Sequence, residues 1–80
     1  MIQYDFSKVR GRIKEKLGNE AKFAEKLGIS SAALSSKFNN RSDFTATEIS
    51  RATDEDVLDI PTREIGVYFF TQQLELNSIK

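Results

Sequence analysis

Apolar residues recur at helical spacing along the first half of the chain. Phe6, Val9, Ile13 and Leu17 fall three or four positions apart and predict one buried stripe on a helix over about 6–17. Asp5 stands at the N-cap position, Tyr4 and Val9 have the spacing of a hydrophobic staple, and Gly18 supplies the stop. A second helix is predicted over about 20–27, with Phe23, Ala24 and Leu27 inward and Gly28 at its end. Ser30 or Ser31 caps a third helix that runs to about Phe38, with Leu34 and Phe38 on one face. A polar loop, Asn39 to Asp43, follows. Thr45-x-x-Glu48 is a capping box that starts a fourth helix, whose apolar positions are Ile49, Ala52, Val57 and Ile60. Pro61 forces a boundary and suits the first turn of a fifth helix with Ile65, Tyr68 and Phe69 inside. Beyond it Phe70, Leu74 and Leu76 lie on one side of an alternating pattern. The expectation is an all-α, compact five-helix domain over 1–70 with a C-terminal tail over 71–80.

The second and third helices carry the most specific pattern. Two helices that cross steeply through a short turn need a small residue at the crossing, a residue tolerant of positive φ in the turn, and apolar residues to fix the angle. Ala24, Gly28, and the set Phe23, Leu27, Ile29, Leu34 and Phe38 meet these needs in register. This is a helix-turn-helix, a motif that presents its second helix to the major groove of DNA.

Charge first argues against that reading and then bends toward it. Twelve Lys and Arg balance twelve Asp and Glu among 80 residues. Phosphate binding needs basic residues, so a neutral sum is unpromising. The charges are unevenly placed, however. Residues 1–41 hold nine basic and four acidic residues, and residues 42–80 hold three and eight. The half with the helix-turn-helix therefore carries +5 and the other half −5, a polarised domain with one basic face.

The stretch Phe-Ala-Glu-Lys-Leu-Gly-Ile-Ser at 23–30, followed by Leu-Ser-Ser-Lys-Phe-Asn-Asn at 34–40, resembles the lambda-repressor-like (Cro/repressor) helix-turn-helix family. It is most similar to the small phage and prophage regulators of Gram-positive bacteria. Tyr4 to Ile13 and Glu64 to Phe70 extend the resemblance to about residue 70. The resemblance implies a transcriptional regulator that binds double-stranded operator DNA as a homodimer. Base reading is expected from the exposed side of the third helix, at Ser31, Ala32, Ser35, Ser36 and Lys37. Its Ser and Ala side chains are too short for the bidentate pairs that discriminate best between bases. Phosphate positioning is expected from Lys22, in the first turn of the second helix, and from Asn39, Asn40 and Arg41, where similar proteins touch the backbone. Phe70, Leu74 and Leu76 are the expected dimer contacts.

Other chemistry finds little support. The absence of Cys and His removes thiol catalysis, imidazole bases and the common zinc sites. Asp54-x-Asp56-x-Leu58-Asp59 fails the calcium-loop pattern. No catalytic set, metal or cofactor is assigned. No apolar run approaches the length of a membrane span, and no signal sequence is visible, so a location in the cytoplasm of a bacterial host is expected. One alternative comes from another functional class: a helix-turn-helix scaffold that binds another phage regulator, as an antirepressor or co-repressor does. The Ser-rich third helix and the acidic second half leave that alternative open beside the main reading.

Overall fold

The computed structural model describes residues 3–73. It contains five α-helices: α1 (Ser7–Leu17), α2 (Glu20–Leu27), α3 (Ser31–Phe38), α4 (Ala46–Ala52) and α5 (Ile65–Phe69). The all-helical architecture matches the expectation from sequence. Helix α2 packs against α1, α3 and α4, and α5 closes the other side of α1. Buried in the centre are Val9 and Ile13 of α1, Phe23 and Leu27 of α2, and Leu34 and Phe38 of α3, with Phe69 of α5 completing the layer.

The helix ends show which local signals govern. Asn19 caps α2 by accepting from the Lys22 amide at 2.9 Å, and Ser30 caps α3 by accepting from the Ala33 amide at 3.0 Å. Thr45 and Glu48 form the reciprocal capping box at the start of α4. Helix α1 differs by one position. Phe6, not Asp5, is its half-in residue, and the Asp5 carboxylate instead accepts from the Ser7 amide at 2.9 Å and from the Ser7 hydroxyl. Those bonds, the hydroxyl's first, lower the Asp5 pKa. The Phe6 ring is buried in the core.

The fourth helix is much shorter than the apolar pattern suggested. It stops at Ala52, and residues 53–60 wind back in turns that bury Leu58 and Ile60. The Leu58 amide donates to the Ala52 carbonyl at 3.1 Å, and the Ile60 amide to the Thr53 carbonyl at 3.1 Å. Asp59 takes a left-handed φ of 51°, which helical continuation forbids. Arg12 of α1 fastens this loop, its guanidinium donating to the Leu58 carbonyl at 2.9 Å and the Asp59 carbonyl at 3.0 Å. Asp54, Glu55 and Asp56 stay exposed. Asp competes with the helix by bonding to nearby backbone, and here the Asp54 carboxylate accepts from the Asp56 amide at 3.2 Å.

Pro61 stands one step earlier than expected. It precedes a 3-10 turn, Thr62–Glu64, that leads into α5. After α5 the chain returns to its own beginning, and Gln72 forms an antiparallel bridge with Tyr4. Leu74 and Leu76 lie outside the described residues.

Leu58 is fully buried and comes from a turn rather than a helix. Leu58→Ala should therefore destabilise the domain by about 2–5 kcal/mol, the range for truncating a core Leu. Urea unfolding followed by circular dichroism measures this. A loss below about 0.5 kcal/mol, typical of a surface site, would place Leu58 outside the core.

The candidate interaction surface

The turn between α2 and α3 is fixed by three groups. Gly28 has a left-handed φ of 75° and ends α2. The Ile29 amide reaches back to the Ala24 carbonyl at 3.0 Å and the Gly28 amide to the Glu25 carbonyl at 3.1 Å, the paired bonds of a Schellman stop. Arg51 of α4 crosses over to donate to the Leu27 carbonyl at 3.2 Å. A Cβ on Gly28 would lie 3.4 Å from that guanidinium, in addition to the backbone strain. So α3 is held at a set angle, and its outer side presents Ser31, Ala32 and Ser35 to solvent.

The remaining residues expected to touch DNA are not equally free. Lys37 is 92% removed from solvent, being 8% exposed. Its ammonium donates to the Asp43 carbonyl at 2.8 Å, pairs with Glu48 at 3.0 Å and lies 5.7 Å from the centre of the Phe44 ring. It ties the end of α3 to the start of α4 and has no reach left for a base edge. Asn40 is likewise committed, because its side-chain amide grips the Tyr4 backbone at 2.8 and 3.1 Å. Ser36 is half-buried. The Lys22 amide already bonds to Asn19, although the Lys22 side chain is exposed. Asn39 and Arg41 are exposed, and Asn39 donates to the Ser35 hydroxyl at 3.3 Å.

Much of the basic charge of the first half is also spent inside the fold. Arg10 pairs with Glu20 at 2.7 Å and stacks over the Phe38 ring at 5.0 Å. Arg12 holds the 58–59 carbonyls and pairs with Glu15 at 3.1 Å. Lys8 lies over the Tyr68 ring at 5.4 Å. Lys14, Lys16, Lys22, Lys26 and Arg41 are exposed and enter no ion pair among the described residues. Among those same residues, no cluster of acids suits a metal ion, and no helix is long and apolar enough to cross a membrane.

A hollow of about 280 Å³ lies beside the Tyr4–Gln72 bridge, with Tyr4 in its lining. Its walls include Tyr4, Phe6, Phe44, Ile49, Phe69 and Phe70. Tyr4 and Phe70 meet edge-to-face with ring centres 5.7 Å apart, and Phe70 is half-exposed. Sequence patterning does not find this feature. Phe44 sits in a polar loop, outside any periodic segment, and Tyr4 and Phe70 are brought together only by the fold.

The family model described as "Protein of unknown function (DUF739)" matches residues 2–72. The chain belongs to that family. Among solved structures, it is similar to the modulator of repression (MOR) of the temperate bacteriophage TP901-1 from Lactococcus lactis. The identity is 36%, the match covers 84% of this chain and 88% of that one, and the TM-score is 0.71. No curated protein matches. The similarity corrects the main functional expectation. A helix-turn-helix and a basic half suggested a Cro-like repressor that binds operator DNA. The DUF739 chain is instead similar in sequence and fold to a modulator of repression. Of the two readings drawn from sequence, the alternative, action on another regulator, is the one this finding supports.

The Lys37–Glu48 pair makes the stability of the fold pH-dependent in a defined direction. Burial raises the Glu48 pKa, but the Thr45 amide and hydroxyl together with the Lys37 ammonium outweigh it, leaving the group below its ordinary value of 4.5. A depressed carboxyl stabilises the fold above its unfolded-chain pKa and loses that contribution as pH falls through the folded value. Glu48→Gln should thus be less stable than the native chain at pH 7, and the gap should close well below pH 4.5. Urea midpoints at the two pH values test this. A gap that does not change with pH would deny the carboxylate its role.

Proposed function

We propose that this DUF739 chain is a phage regulator that acts by binding another phage regulator, as an antirepressor or co-repressor, with the helix-turn-helix as scaffold. One observation carries the reading: 36% identity across 84% of the chain to a phage modulator of repression, at a TM-score of 0.71. The site chemistry supports it. On α3 the exposed side chains Ser31, Ala32 and Ser35 are small, and Lys37 is already engaged. Such a face suits close packing of a protein surface better than bidentate reading of bases.

Two surfaces are available to that partner. The outer side of α3 exposes small residues, and Lys22 of α2 and Asn39 and Arg41 after α3 are exposed as well. The hollow offers aromatic walls beside the polar Asn40, Ser42 and Asp43, with the half-exposed Phe70 in its lining. Interfaces draw their affinity from such anchors more than from polar rims.

A gel-shift series at rising salt tests the proposal. The probes are operator DNA of the phage that encodes the chain and that phage's own repressor. The chain alone should leave the DNA unshifted, and adding it to the repressor–DNA complex should change the band. Specific retardation by the chain alone, with no effect on the repressor complex, would refute the reading.

A further inference from the structure

The two ends of the described chain form a small antiparallel ladder. The Asp5 amide donates to the Thr71 carbonyl at 2.7 Å, and the Gln73 amide to the Gln3 carbonyl at 2.8 Å. Tyr4 and Gln72 are therefore a non-hydrogen-bonded pair, and the Tyr4 amide and carbonyl point away from the 71–73 backbone, with the Gln73 side-chain amide reaching round to donate to that carbonyl at 3.2 Å. An edge of that kind usually meets water or another strand. Here it meets Asn40. The Asn40 side-chain oxygen accepts from the Tyr4 amide at 2.8 Å, and its nitrogen donates to the Tyr4 carbonyl at 3.1 Å. One amide side chain thus does what a neighbouring strand would do.

Asn40 has a second task at the same place. Its φ is 61°, and it is the left-handed residue that ends α3. The Arg41 amide bonds to the Ser36 carbonyl at 2.9 Å and the Asn40 amide to the Lys37 carbonyl at 3.1 Å, again a Schellman stop. Glycine is the usual residue at such a position. Asn tolerates the conformation and adds an amide that glycine lacks. Apart from bonds within the ladder and to the helices it runs into, Asn40 provides the only hydrogen bonds, among the described residues, that tie residues 3–5 and 71–73 to the body.

We infer that the two terminal segments form one lid over the aromatic hollow, and that Asn40 is the latch that fastens this lid to the end of α3. Tyr4 belongs to the lid and Phe70 directly precedes it, and both line the hollow. Release of the Asn40 amide frees residues 3–5 and 71–73 together and uncovers Phe6, against which the Tyr4 ring packs with centres 6.3 Å apart. The latch also joins the hollow to α3, so a displacement of the α3 terminus moves the lid. The lid itself rests on these hydrogen bonds and is independent of the partner reading.

Asn40→Gly separates the two tasks, because glycine keeps the left-handed helix stop and removes the grip on Tyr4. Amide hydrogen exchange by NMR reads the result. In the variant, the Tyr4, Asp5 and Gln73 amides should exchange faster together, by roughly ten- to a hundredfold, the effect of losing two neutral hydrogen bonds. The Ile13 and Leu27 amides should keep their rates. Asn40→Asp retains the acceptor for the Tyr4 amide but has no donor for the Tyr4 carbonyl, and should give a smaller joint increase. Acceleration at Tyr4 alone would overturn the proposal, because the ladder would then hold without Asn40. Equal acceleration at Ile13 and Leu27, or outright unfolding of Asn40→Gly, would also overturn it, since Asn40 would then serve the whole fold rather than a lid. A native rate for Asn40→Asp would exclude the two-point grip.

Discussion

The structure depends on the Phe38 ring. Phe38 is the last residue of α3, and its ring touches three others: Phe6 at the start of α1, with centres 5.6 Å apart, Phe23 of α2, stacked at 6.4 Å, and Phe44 of the following loop at 5.7 Å. Phe44 carries the contact on to Phe6 at 5.5 Å and Phe69 at 5.3 Å. Aromatic rings bury large areas and prefer tilted contacts of this kind. A domain of this size has little other surface to bury. Its helices are short, with at most 11 residues, and would be marginal alone. Packing around Phe38 therefore sets both the angle of α3 and the position of the loop after it.

Polar groups secure that arrangement from the outside. Arg10 covers the exposed side of Phe38 and pairs with Glu20 of α2. Lys37 lies beside Phe44 and binds Glu48. Arg12 and Arg51 each hold main-chain carbonyls of another element. Arg is well suited to this because its planar fork binds two acceptors at once. The basic residues of the first half thus divide into internal fasteners and a smaller exposed set. That division explains why charge counted along the sequence overstated the case for a phosphate-binding face.

Features encoded by near neighbours were legible in the sequence. The stripe of α1, the stops at Gly18 and Gly28, the Ser30 cap and the Thr45–Glu48 capping box all depend on residues within about four positions of each other, and the helices stand where those signals place them. Features that depend on distant partners were not legible. Val57 and Ile60 fit a longer α4 by spacing, but it is Leu58 and Ile60 that are buried, from turns, once Arg12 anchors the returning loop, 46 positions away from Leu58. Lys37 and Asn40 read as solvent-facing because no local pattern announces Glu48 or Tyr4 as their partners. The site followed the same division. The α2–Gly28–α3 pair was visible, but a helix pair of that kind is a scaffold that serves more than one function, and the aromatic hollow exists only after folding.

The central claim is that this chain acts on a regulator rather than on an operator. Sedimentation velocity of the chain mixed with the repressor of its own phage, with no DNA present, tests it most directly. The account predicts a new, faster species that contains both proteins. Independent sedimentation of the two proteins at all concentrations tried would contradict it.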